Sequence, residues 1–158
     1  RRITKEVDRL MDGMEELIKE HDGELYTHIR SIPGLGLRTS MMIIAVTNGF
    51  RDFHNHRQVS SFVGLAPTER TSGSSIRGRA RISKAGSPLL RSHLFMCSFT
   101  ASKYNPQCKA LYDRIVAKGK TPKLALIAVC NKLLKQALAV SKNRMPYDPN
   151  YRSVKPTT

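Results

Sequence analysis

Residues 29–44 read IRSIPGLGLRTSMMII, and their pattern indicates how the first helices of the chain are arranged. A helical apolar pattern ends at the tight GLG turn, and a new helix opens shortly after it. The glycines let the turn approach a phosphate, whose charge a helix N-terminus can hold. The pattern predicts a helix-hairpin-helix over about residues 29–48, with Gly34, Gly36 and Arg38 as nucleic-acid contacts. The alternative is a helix-turn-helix packed for structural reasons alone.

Upstream of this turn, residues 1–30 carry the pattern of one long helix. Its seam positions recur at the alternating spacing of a heptad, at Ile3, Val7, Leu10, Met14, Leu17, His21 and Leu25. The seam predicts the end of a coiled-coil linker, and an amphipathic helix packed on the domain is the alternative. The chain opens inside this pattern and without methionine, so we expect a fragment whose N-terminal portion is missing.

Downstream of the turn, the sequence predicts a mainly α domain over residues 31–145 and a polar tail over residues 146–158. Ser87-Pro88 and Thr121-Pro122 mark helix starts, because a capping side chain precedes proline at the first helical position. The predicted helices cover about 58–63, 89–103, 107–118 and 123–141. No strand is strongly indicated, although residues 75–82 are compatible with a short extended or hairpin segment.

Residues 71–86, TSGSSIRGRARISKAG, dominate a loop predicted over about residues 68–86. No aspartate or glutamate occurs between Glu69 and Asp113. Serine is a weak nucleophile unless it is activated, and guanidinium groups match phosphate oxygens. The composition indicates either a reaction at a phosphodiester or, as is more common for such loops, binding of nucleic acid without a reaction. The predicted contacts are Arg77, Arg79, Arg81, Lys84 and, from the next helix, Arg91.

The overall charge points to nucleic acid as the partner. The 158 residues include 27 lysines and arginines against 12 acids, a formal net charge of +15. A field of this sign attracts polyanions. A membrane is not the expected partner, because the bases are spread over loops and several helices and no apolar run looks long enough to span a bilayer. Cys97, Cys108 and Cys130 form no CxxC pair, which predicts a reducing, cytoplasmic setting.

No metal site is predicted within this chain. Eight of the twelve acids lie between Glu6 and Glu24, so a two-metal nuclease site is difficult to build elsewhere. Asp52, His54 and His56 offer too few ligands, and a capping turn before a helix is the favoured interpretation of that segment.

The order of the motifs resembles one family closely. SIPGLGLRTS is followed by FVGLAP, by TSGSSIRGRARISKAG and by a leucine-rich helix containing LLRSHLF. This string is similar to the C-terminal domain of the insertion-sequence transposases called IS-one-ten, with IS-one-sixteen and IS-nine-hundred-and-two, over about residues 32–149. The resemblance implies a bacterial DNA recombinase. It also implies an N-terminal RNase H-like domain, absent from this sequence, whose carboxylates bind Mg²⁺ and which a coiled coil joins to the present domain.

The resemblance further implies the catalytic residue and the partners. Ser72, immediately before Gly73, matches the family serine that attacks a backbone phosphate and holds the broken strand as a phosphoserine. DNA, a structured guide RNA and a homodimer or higher oligomer are implied, in the bacterial cytoplasm at the nucleoid. We expect this fragment to bind nucleic acid without recombining DNA. The alternative is a non-enzymatic helix-hairpin-helix module that contacts phosphates.

Overall fold

The computed structural model describes residues 2–68, 71–72, 76–77 and 81–151. Within these ranges the chain is mainly helical, as predicted. The six described helices are α1 (Arg2–Arg30), α2 (Leu37–Thr47), α3 (His56–Val63), α4 (Pro88–Tyr104), α5 (Pro106–Ala117) and α6 (Pro122–Asn143). A 3-10 turn, Asn48–Phe50, follows α2. The described strands are β1 (Pro67–Thr68), β2 (Thr71–Ser72), β3 (Ile76–Arg77) and β4 (Arg81–Ile82).

Capping side chains determine where four of these helices begin. The side chains of Asn55, Ser87, Asn105 and Thr121 each accept a hydrogen bond from the backbone N–H three residues further on. Proline occupies the first helical position of α4, α5 and α6, where its missing N–H costs nothing. The helix starts predicted at Ser87-Pro88 and Thr121-Pro122 are therefore confirmed.

The core is organised around α6. Helices α1, α3, α4 and α5 all contact it, and Val129, Cys130, Leu133 and Ala137 are fully buried along its length. Among the described residues, α6 is also the one helix long and apolar enough to cross a membrane, contrary to the expectation that no such run exists. Because 61% of that apolar stretch is buried inside the domain, core packing accounts for its composition.

A buried amide network connects residues 31–36, the turn between α1 and α2 that we call the hairpin, to α5, α6 and the segment after α6. The helix-hairpin-helix motif stays a prediction. Asn105 is fully buried, and its Nδ2 donates to the Pro33 carbonyl at 3.2 Å and to Gln136 Oε1 at 2.9 Å. The Tyr147 hydroxyl donates to Asn105 Oδ1 at 3.1 Å, and the Tyr147 backbone N–H donates to Ser31 Oγ at 2.7 Å. The beginning of the predicted polar tail is thus packed onto the domain.

Helix α1 is broken at Asp22, where φ is −159° and ψ is 67°. The Asp22 carboxylate accepts from the Leu25 backbone N–H at 3.1 Å, and Arg144 Nη1 donates to both of its oxygens at 2.8 Å. Leu25 and Ile29, after the break, are buried. The seam residues before it are exposed, namely Ile3, Val7, Leu10, Met14 and Leu17. These residues do not pack on their own domain, and the coiled coil stays a prediction.

Candidate nucleic-acid interface

Two short antiparallel ladders, β1 with β4 and β2 with β3, place the backbone of Ser72 beside a three-residue connection. The paired residues are Pro67 with Ile82, Thr68 with Arg81, Thr71 with Arg77, and Ser72 with Ile76. We call these two ladders the ribbon. The short extended or hairpin segment predicted over residues 75–82 contains β3 and β4 but not β1 and β2. Residues 67–72 have no alternating apolar pattern that would indicate a strand.

The end of the ribbon nearest the core, residues 64–68 and 81–86, is the ribbon base. The backbone N–H of Ser83 donates to the Ala66 carbonyl at 2.9 Å, and that of Lys84 donates to the Gly64 carbonyl at 3.0 Å. Gly64 has φ of +79°, and a Cβ on it would lie 2.6 Å from Arg91 Nη1. Only glycine adopts this positive φ readily and leaves room for the Arg91 guanidinium so close to the backbone.

Arg91 ties the ribbon base together. Its Nη1 donates to the Val63 carbonyl at 2.9 Å and to the Lys84 carbonyl at 3.4 Å, so one guanidinium joins the end of α3 to the returning strand. A charged donor to a half-buried carbonyl makes a strong hydrogen bond. Part of the Arg91 side chain therefore has a structural role, and its contact with nucleic acid stays a prediction.

The remaining predicted residues of the loop are described unevenly. Arg81 and Lys84 are exposed at the ribbon base, and the Arg81 carbonyl accepts from Thr68 Oγ1 at 3.0 Å. The description of Ser72 and Arg77 is confined to their backbone pairing. Arg79 lies outside the described residues.

The hairpin glycines differ in their surroundings. Gly34 has φ of +105°, and a Cβ on it would lie 2.6 Å from Ala101 Cβ in α4. Gly36 precedes the first residue of α2 with φ of −80°, and a Cβ there would meet nothing within 4 Å. Arg38 is exposed and donates to Asp8 Oδ1 in α1 at 3.2 Å. Close packing thus explains Gly34, whereas the backbone at Gly36 is open to a ligand.

The two predicted groups of contacts lie at different ends of α4. Gly34 touches α4 at Ala101, and the ribbon base touches it at Arg91, ten residues or about 15 Å away along the helix axis. An open groove of about 370 Å³ runs beside the hairpin, lined by Gly34, Leu35, Gly36, Thr39, His93, Met96, Cys97 and Thr100. The hairpin and the ribbon therefore contact α4 at separate places, and the groove beside the hairpin includes no ribbon residue.

Sequence reasoning overlooked a third group of bases. This group consists of Arg57 at the start of α3 and of Lys132 and Lys135 on α6. A hydrogen bond joins the two helices, since Ser60 Oγ donates to Asn131 Oδ1 at 2.6 Å. The available signal was the pair Lys132 and Lys135, three residues apart in the middle of the long helix predicted over residues 123–141.

A metal site is not found in the part of the chain that the structure describes. No three His, Cys, Asp or Glu side chains there are grouped so as to hold an ion. The segment around His54 is a capping box instead, in which Asn55 Oδ1 accepts from the Gln58 N–H at 3.1 Å and Gln58 Oε1 accepts from the Asn55 N–H at 3.3 Å. The capping interpretation is confirmed.

Comparison with known families decides what kind of chain this is. Residues 26–113 match the Transposase IS116/IS110/IS902 family, and that range contains more than half of the chain. The chain belongs to the IS116/IS110/IS902 transposase family. The matched range of this family domain includes the hairpin, the ribbon and all of α4.

Individual relatives agree with this assignment. The pilin gene-inverting proteins of Moraxella lacunata and Moraxella bovis are each 34% identical over 122 residues, which are 76% of this chain and 38% of theirs. The transposase for insertion sequence element IS1111A of Coxiella burnetii is 30% identical over 107 residues, which are 66% of this chain and 29% of its own. The aligned part of this transposase-family chain thus spans less than two-fifths of these relatives.

Proposed function

We propose that this chain is the serine-bearing domain of a DNA recombinase, and that Ser72 attacks a DNA phosphodiester. The observation that carries this proposal is the backbone pairing of Ser72 with Ile76 in a ribbon whose base is fixed to the core. A nucleophile on a fixed ribbon can be held at an attacking distance from a bound phosphate. The family match supports the proposal, since its description and the names of the relatives concern transposition or gene inversion.

The proposed chemistry is a phosphoryl transfer to serine. The Ser72 oxygen forms a bond to phosphorus while the bond from phosphorus to one deoxyribose oxygen breaks. The serine hydroxyl gives up its proton, and the departing oxygen gains one. The phosphoserine retains the energy of the phosphodiester, so a hydroxyl of another strand can reverse the attack and release the serine. Arg77, Arg79 and Arg81 would offset the charge that develops on the phosphate oxygens.

We propose that the active assembly also includes metal-binding carboxylates from a further domain. Magnesium bound by the carboxylates of an RNase H-like N-terminal domain would stabilise negative charge at the reacting phosphate. The described residues contain no metal-binding cluster that could replace those carboxylates. We further propose DNA and a structured guide RNA as partners, self-association through the exposed seam of α1, and action in the bacterial cytoplasm at the nucleoid.

The test is covalent trapping in a chain of full family length with guide RNA, Mg²⁺ and labelled DNA. Wild type should give a protein–DNA adduct on a denaturing gel, and Ser72→Ala should give none. Ser74→Ala and Ser75→Ala are matched controls that remove neighbouring hydroxyls and should retain the adduct. An adduct that survives Ser72→Ala, or a recombining wild type that forms no adduct, would reject Ser72 as the nucleophile.

A second candidate function is a non-enzymatic helix-hairpin-helix module that grips phosphates. The open backbone at Gly36 before α2 favours it, because helix N-terminal amides bind anions. Under this alternative, Ser72→Ala leaves both affinity and the activity of the parent protein unchanged. Under the recombinase proposal, the same variant retains nucleic-acid affinity and loses strand transfer.

A further inference from the structure

The bases on α3 and α6 belong to helices held rigidly in place. The capping box at Asn55 determines where α3 begins, and Ser60 Oγ donates to Asn131 Oδ1 on α6 at 2.6 Å. Asn131 Nδ2 in turn donates to the Leu65 carbonyl, just past the end of α3, at 3.2 Å. Two side-chain hydrogen bonds thus set the position of one helix against the other.

Helical spacing then brings the bases of the two helices together. His56 lies four residues before Ser60 on α3, and Lys135 lies four residues after Asn131 on α6. Residues four apart share one face of a helix. His56 and Lys135 therefore each lie one turn from the Ser60–Asn131 contact, and Lys135 is near enough to His56 for its charge to act on the imidazole. Arg57 follows His56 in the first turn of α3.

The charges of this group repel one another. Burial lowers the pKa of His56, and the positive charges of Lys135 and Arg57 lower it further. Burial also lowers the pKa of Lys132, and Lys135 and Arg114 add to that effect. Burial is the larger cause of both shifts, and the neighbouring positive charges act in the same direction.

The described residues provide no carboxylate partner for these bases. Ion pairs in that part of the chain use other bases, namely Lys19, Arg38, Lys109 and Arg144. The first turn of α3 contains no acid, although the positive end of a helix dipole favours one. The arrangement costs stability in the free protein unless an anion compensates it.

We propose that Arg57, Lys132 and Lys135, with Arg114 beside them, form a second phosphate-binding surface for the backbone of a nucleic-acid duplex. The eight residues of α3, about 12 Å, separate its N-terminal bases from the ribbon base. A duplex held at the ribbon has further phosphates available at this distance. The inference rests on the proposed function, because it assumes that the domain binds nucleic acid.

The experiment compares two triple variants that lose the same charge. Arg57→Gln/Lys132→Gln/Lys135→Gln alters the proposed surface, whereas Lys5→Gln/Arg9→Gln/Lys19→Gln alters α1, which contains most of the acids. Fluorescence anisotropy measures the Kd of each for a 20-base-pair DNA duplex and a 20-base-pair RNA duplex over a series of KCl concentrations. Circular dichroism verifies folding, and the exposed double variant Arg57→Gln/Lys135→Gln replaces the triple if half-buried Lys132 cannot be changed.

The surface variant should bind roughly tenfold more weakly than wild type at low salt, and its log–log salt slope should fall by about 2 to 3. The α1 variant should stay within about threefold of wild type, since its bases lie among eight of the twelve acids of the chain, whose negative charge repels phosphate. A loss on DNA alone, on RNA alone or on both supports the surface and identifies which backbone it holds. Equal affinities for the two triple variants would overturn this inference while leaving the proposed function intact. A wild type that binds neither duplex would overturn both.

Discussion

Replacing Gly34 by alanine tests whether this glycine serves packing or an approach to phosphate. The structure gives two independent penalties for Gly34→Ala. The new Cβ would lie 2.6 Å from Ala101 Cβ and 2.8 Å from Ala101 Cα, and overpacking of this kind costs about 1–3 kcal/mol. The positive φ of Gly34 adds about 1–2 kcal/mol for any residue with a Cβ. The free energy of unfolding should therefore fall by about 2–5 kcal/mol.

The assay is urea unfolding followed by far-ultraviolet circular dichroism, since the chain lacks tryptophan. The expected loss lowers the urea midpoint by roughly 1–2.5 M for an m-value of about 2 kcal/mol/M. Gly36→Ala is the matched control in the same turn. It has a negative φ and no atom within 4 Å of the added Cβ, so its unfolding free energy should change by less than about 1 kcal/mol.

A double variant separates the two penalties. Ala101→Gly removes the methyl group that the new Cβ meets, and on its own it should cost about 1 kcal/mol through lower helix propensity. Combined with Gly34→Ala it should recover about 1 kcal/mol, because the Cβ–Cβ overlap disappears while the 2.8 Å contact with the Cα of residue 101 and the strained φ remain. Strictly additive effects, or a Gly34→Ala protein within about 0.5 kcal/mol of wild type, would refute the packing explanation.

Two further predictions concern α1. Asp22→Asn removes the ion pair to Arg144 and should destabilise the domain by about 1–2 kcal/mol at pH 7, measured by urea unfolding. Although burial favours the neutral acid, the Leu25 N–H and the Arg144 guanidinium together hold the pKa of Asp22 below its ordinary value of 3.8. The stabilising effect of the Asp22 carboxylate is thus present above pH 3.8 and is lost as pH falls through the lower pKa of the folded state. The unfolding free energies of wild type and Asp22→Asn should therefore converge in acid. A difference between them that stays constant down to pH 2 would contradict the assigned cause. Leu10→Glu/Leu17→Glu alters two exposed seam residues and should shift light-scattering mass toward the monomer without changing the unfolding midpoint. An unchanged oligomer would argue against the seam as an interface, and Glu6→Gln/Glu20→Gln on the same helix is the control.

Local signals in the sequence were sufficient for the helical class and for several helix starts. Ser87-Pro88 and Thr121-Pro122 specify their helices because the cap side chain and the backbone N–H that donates to it are only three residues apart. The same reasoning identified the capping turn before α3. The sequence also located the base-rich stretch around Ser72. The pairing of its strands in the ribbon could not be predicted from the local sequence pattern.

Contacts between distant residues decided the rest. The break in α1 depends on Asp22 meeting Arg144, which lies 122 residues further along the chain. The conformation of Gly34 accommodates Ala101, the Arg91 guanidinium meets the Val63 carbonyl, and His56 comes beside Lys135 only because α3 packs on α6. The amino-acid sequence by itself determined the helical composition, the caps and the positive charge, since these depend on residue type and short-range spacing. Tertiary structure alone decided which glycine is packed, which arginine is tied to the backbone and which bases share a surface, because each depends on helices that packing brings together.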